Sequence, residues 1–251
     1  MRLLLVNPNI TASITETMAD EARRAASPGT TILTATAAFG TQYIATRPEA
    51  AIAGHAVIDA VAGFAEPHDA VVVAAFGDPG LAAAKELFDV PLVGITEAAL
   101  LVAWTLGRRI AVACMSDRLR VWYEECAAEH GLDGRLVAVR SLADPPSDIT
   151  RAREETAARM AELCRATVER DGAEVLIVGG GPLAGLARDL AAAVPVPVLD
   201  GVACAVRLAE ALVGLAPRAP SRGSFARPPA KPSRGLSEAL AARIERRDEA
   251  D

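Results

Sequence analysis

Asp69-Ala-Val-Val-Val-Ala-Ala75 runs straight into Phe76-Gly-Asp-Pro-Gly-Leu81, and roughly one hundred residues later Ala173-Glu-Val-Leu-Ile-Val178 runs into Gly179-Gly-Gly-Pro-Leu-Ala-Gly185. Each is a short, β-branched apolar run that breaks at glycine and proline, as a buried strand does where it enters a loop. Two further pairs keep nearly the same offset. Arg2-Leu-Leu-Leu-Val-Asn7 answers Arg109-Ile-Ala-Val-Ala-Cys114, and Pro91-Leu-Val-Gly-Ile95 answers Pro197-Val-Leu-Asp-Gly201. The chain therefore reads as one half written twice.

Working outward, strands are expected at 2–7, 30–36, 70–75, 91–94, 109–114, 135–141, 174–178 and 197–200. Helices are expected over 12–26, 48–64, 80–88, 97–106, 118–130, 150–171, 183–193 and 202–214. Strands alternating with helices imply right-handed crossovers and parallel sheets. The expected fold class is α/β, with two pseudo-twofold-related halves over 1–100 and 101–215. Each half carries a mostly parallel four-stranded sheet flanked by helices, with a cleft between the halves. Ligands of such sheets bind beyond the carboxyl ends of the strands, so function is sought in the residues just after them.

Composition narrows the class. The chain has 251 residues, 51% of them apolar, and a net charge of -6. That charge supplies no basic field to attract nucleic acid. Cysteines 114, 126, 164 and 204 lack metal-site or redox spacing, so neither metal nor cofactor is expected. No apolar run reaches the ~20 residues of a membrane span, and no signal peptide is evident. A cytoplasmic protein with a small-molecule substrate is expected.

The strand ends Asn7-Pro-Asn9, Phe76-Gly-Asp-Pro-Gly-Leu81, Gly94-Ile-Thr-Glu-Ala98 and Asp200-Gly-Val-Ala203, taken in order, resemble the hydantoin and allantoin racemase branch of the Asp/Glu racemase superfamily. The resemblance covers about residues 1–214. It implies two cysteines facing each other across the substrate carbon, one removing a proton and the other returning it. The first would stand at Ala75, just before the Phe-Gly-Asp-Pro motif, and the second at Gly180. Neither residue present can carry a proton, so the two-thiol route cannot run at these positions.

Other groups remain for chemistry. Cys114 and Glu97 are the candidate catalytic residues. The resemblance places a threonine that touches substrate where Cys114 stands, and Glu97 in a Gly-Ile-x-Glu motif close to the cleft. A reactive Cys114 would need a depressed pKa, for example from the helix after Ser116. Asn9, Tyr43, Ala75, Phe76, Gly180 and Gly181 are the candidate substrate-binding residues. The run Gly179-Gly-Gly181 at a strand-to-helix turn offers backbone N–H groups to a carboxylate or an oxyanion. Asp78 is expected to cap the helix that follows it, His55 to be structural or at the surface rather than catalytic, and His68 and His130 to lie at the surface. These features favour hydrolysis or other carbonyl chemistry on a small cyclic ureide, imide or related carboxylate. A racemase or isomerase with substitute acid and base groups is the alternative, and a catalytically silent ligand-binding relative is the second.

Residues 216–251 form a separate arm. The stretch 217–235 holds five prolines and five basic residues without an acid. Leu236, Leu240 and Ile244 then recur at helical spacing. An arm ending in a docking helix is expected to wrap its own body or a neighbouring subunit, and a homo-oligomer is expected.

Overall fold

The computed structural model describes residues 1–249. The first half consists of β1 (Arg2–Asn7), α1 (Ala12–Ala25), β2 (Thr31–Thr36), α2 (Arg47–Ala62), β3 (Ala70–Val73), α3 (Leu81–Leu87), β4 (Leu92–Gly94) and α4 (Ile95–Leu106). The second repeats the pattern with β5 (Ile110–Cys114), α5 (Arg118–Glu129), β6 (Leu136–Ser141), α6 (Ala152–Asp171), β7 (Val175–Val178), α7 (Leu186–Leu190), β8 (Val198–Asp200) and α8 (Gly201–Leu215). The sheets share one order, β2-β1-β3-β4 and β6-β5-β7-β8. Every pairing is parallel. The expected fold class is the observed one.

Central strands β1, β3, β5 and β7 are covered on both faces, which is why their sequences are unbroken apolar runs rather than alternating ones. Helix α7 is the main departure from expectation. It spans five residues, because Gly185 before it adopts φ +84° and a separate 3-10 turn occupies Gly181–Leu183. The left-handed region at Gly185 interrupts what the sequence offered as one helix.

The last helix of each repeat crosses to the other half. Helix α8 packs on α1, α4, β3 and β4, and α4 packs against β7 and β8. One apolar cluster therefore runs from Leu3, Val72 and Val93 through Ile95 and Val206 to Val112 and Ile177. The halves face each other across a shared core, and the cleft opens where their strand ends meet.

The arm docks on its own first half. Helix α9 (Glu238–Ile244) lies on α2, with Leu240 fully buried beside Val57, Val61 and Phe88. Leu236 and Ile244 pack at its edges. Ser237 caps α9 by accepting from Leu240 N–H, and it donates to Asp59 Oδ1. The Arg243 guanidinium sits 5.1 Å from the centre of the Phe88 ring.

Candidate active site

The loops after β1, β2, β3 and β7 meet at one small cavity of about 20 Å3. Its walls include all six expected binding residues: Asn9, Tyr43, Ala75, Phe76, Gly180 and Gly181. Ala75 from the first repeat and Gly180 from the second thus border the same space, as the repeat requires. Ile44, Ala74, Pro182 and Tyr123 complete it.

Three polar groups around this cavity have no partner among the described residues. Asn9 Oδ1 accepts from Asn7 Nδ2 (3.0 Å) and from Thr11 N–H (2.9 Å), which fixes the amide and leaves Asn9 Nδ2 unspent. The hydroxyls of Tyr43 and Tyr123 are likewise unbonded. Burial raises both phenols above their ordinary range, so both stay neutral donors. Phe76 meets Tyr123 edge-on, with ring centroids 4.6 Å apart. No local motif marks Tyr123 in the sequence. Its signal was the buried spacing Leu119, Tyr123, Cys126 along α5.

Neither expected catalytic residue lines this cavity. Cys114 is fully buried in the core shared by the halves, and burial pushes its thiol up to about 12. Its Sγ contacts the Ser116 carbonyl at 3.5 Å. The helix after Ser116 does not activate it, because desolvation outweighs every other influence, and the thiol remains protonated at neutral pH. Glu97 borders a different and larger cavity of about 550 Å3, together with Asp78, Lys85, Trp122, His130 and Phe225 of the arm. There it pairs with Lys85 at 2.5 Å.

Asp78 caps a helix, but not the one that follows it. Its carboxylate accepts from Thr96 N–H (2.9 Å) and Glu97 N–H (2.7 Å) at the start of α4. Gly80 stands at the N-cap of α3 instead. In the second half the matching helix α8 is capped in line by Asp200, which accepts from Val202 and Ala203 N–H. Gly94 occupies the equivalent place in the first half, and a Cβ there would stand 2.1 Å from Asp78 Cγ. The missing side chain admits a cap from a distant loop. Together with the bond from Gly77 N–H to Thr96 Oγ1 (2.6 Å), this cap pins the wall that carries Ala75 and Phe76. Burial pushes Asp78 up to about 7 despite its two backbone donors, and His130 Nε2 lies 4.0 Å from it.

The whole chain has clear relatives. A hydantoin racemase from Paenarthrobacter aurescens is 34% identical over 236 residues, covering 92% of this chain and 99% of that protein. The crystal structure of an allantoin racemase from Pseudomonas fluorescens is 36% identical with a TM-score of 0.89, covering 94% of this chain and 100% of its own. The allantoin racemase from Klebsiella pneumoniae is 31% identical with a TM-score of 0.90, covering 96% and 98%. Residues 3–209 match the family described as Asp/Glu/Hydantoin racemase. With that match and relatives of this identity along nearly its full length, the chain belongs to the Asp/Glu/hydantoin racemase family.

Proposed function

We propose that this racemase-superfamily enzyme takes a five-membered cyclic ureide of the hydantoin or allantoin kind between Ala75 and Gly180, and exchanges the proton on the ring's stereogenic carbon without thiols. The observation that carries this is the cavity itself. Both repeat-related positions border it, neither bears an acid or base, and the unspent donors Asn9 Nδ2, Tyr43 and Tyr123 point to stabilisation of negative charge. Removing the carbon-bound proton sends its electron pair onto the neighbouring carbonyl oxygen as an enolate. Neutral phenols and a fixed amide donate to such an oxygen in a site lined mostly by buried residues, where each bond counts for more than in water. Hydroxide takes the proton, and water returns one to either face.

Hydrolysis, which the glycine run favours, is not supported. The named relatives are racemases, and no lining residue can act as a base toward water. One observation favours a second reading, a silent ureide-binding protein: no lining group titrates near neutral pH.

The test is loss of the C5–H signal of a 5-substituted hydantoin in heavy water, followed by proton NMR. Exchange faster than in buffer, rising with pD without a plateau, unchanged in Cys114→Ala and slowed in Tyr123→Phe is expected. Exchange that levels off with a thiol-like pKa and vanishes in Cys114→Ala would overturn the proposal. Binding with no exchange above buffer would establish the silent reading.

A further inference from the structure

The wall that carries Gly180 and Gly181 has little regular structure, yet it is held at several points. Gly180 and Gly185 both take positive φ, and the 3-10 turn Gly181–Leu183 lies between them against α1. Met18 of α1 packs so close that a Cβ on Gly181 would stand 2.8 Å from its Sδ. At the far end Gly185 N–H donates to Asp200 Oδ2 (2.6 Å), and Arg153 Nη1 donates to the Ala184 carbonyl (3.5 Å). Glu21, also from α1, sits over Gly185 with its side chain only 8% exposed, and its carboxylate pairs with Arg188 of α7. A Cβ on Gly185 would stand 3.0 Å from Glu21 Oε2 and from Arg153 Nη1, and 3.3 Å from Arg188 Nη2. Glycine there serves both the left-handed turn and the close approach of the ion pair.

We infer that Glu21 is a positioning residue: through Arg188 it clamps residues 180–185 of the second half onto α1 of the first, and so fixes the wall that faces Ala75. Helix α1 belongs to one half and α7 to the other, so the pair ties the halves together behind the inner cavity. Pro182 borders that cavity and also a separate polar one of about 210 Å3, which Glu21, Arg24 and Arg153 line. Burial, and then Asp200, raise the Glu21 carboxyl, and Arg188 pulls it back. A buried pair balanced in this way contributes geometry more than net stability. A ring held between two walls binds more weakly when one wall is free to shift, because binding must then order it. The effect on binding rests on the ring lying between Ala75 and Gly180, as proposed above; the clamp itself does not.

The test is amide hydrogen exchange of the full chain, paired with calorimetric binding of hydantoin, in Glu21→Gln, Arg188→Met and Arg188→Lys. In the first two, amides over 179–185 should exchange about tenfold faster while those of β1 hold, and hydantoin should bind about tenfold more weakly. Arg188→Lys, which returns the charge, should recover most of both losses. Arg188 is exposed, so Arg188→Met keeps the test open if Glu21→Gln folds poorly. Unchanged amides over 179–185, a loss shared equally by β1, or a lysine variant no better than the methionine one overturns the clamp. Amides that loosen while hydantoin binds as tightly as before overturn the positioning role. If the wild type binds no hydantoin, the ring site falls, and the amides alone still decide the clamp.

Discussion

Gly180 adopts φ +128°, a conformation costly for residues with a side chain, and a Cβ there would stand 3.2 Å from Met115 Cε. Ala75 already carries its Cβ in ordinary backbone. The two empty positions are therefore unequal. Ala75→Cys should change stability by less than ~1 kcal/mol, whereas Gly180→Cys should cost about 1–3 kcal/mol, both measured by urea unfolding. Equal stability of the two variants would contradict the geometry at Gly180. Asp78 gives a second prediction. Its carboxyl is raised to about 7 from an ordinary 3.8, so between those values the folded protein keeps a proton that the unfolded chain has lost. The stability this contributes is full below pH 3.8 and is lost as pH rises through 7. Across that window the wild type should lose stability relative to Asp78→Asn, and a difference constant with pH would refute the assignment. The empty positions were legible as matched strand ends. The burial of Cys114 is legible too, in the unbroken apolar run of β5, and the strand period assigns it with Ile110 and Val112 to one core.

Eight strands were readable because each is a short apolar run closed by glycine, proline, aspartate or a polar loop. Caps that come from a distance were not. Asp78 reaches across 18 residues to Thr96 N–H, and no local rule pairs them. Gly94→Ala should expel the Asp78 cap, cost about 1–3 kcal/mol and weaken ureide binding, because the same loop carries Ala75 and Phe76. Unaltered melting and binding would show that the close approach is not needed. The docking of α9 was read from three apolar residues at helical spacing and is observed. Leu240→Ala should cost about 2–5 kcal/mol of the docking energy, or all of it if the arm detaches first. Protease sensitivity across 217–235 reports this directly: faster cleavage in the variant is expected, and equal rates in both proteins would contradict it.

At the scale of the molecule, the exchange of α4 and α8 makes the halves interdependent. Unfolding followed by tryptophan fluorescence, from Trp104 on α4 and Trp122 on α5, should coincide with loss of helix signal in one transition. Two separated transitions would show independent halves. The repeat and the architecture could be read from sequence because they rest on patterning. The contents of the cleft could be read only in part, because Tyr123 reaches it through packing between distant segments. The most direct measurement is a crystal structure with a 5-substituted hydantoin bound. The ring is expected between Ala75 and Gly180, its C5 within about 4 Å of both. A ligand seated instead in the cavity beside Trp122, Glu97 and Phe225 would contradict the proposed site.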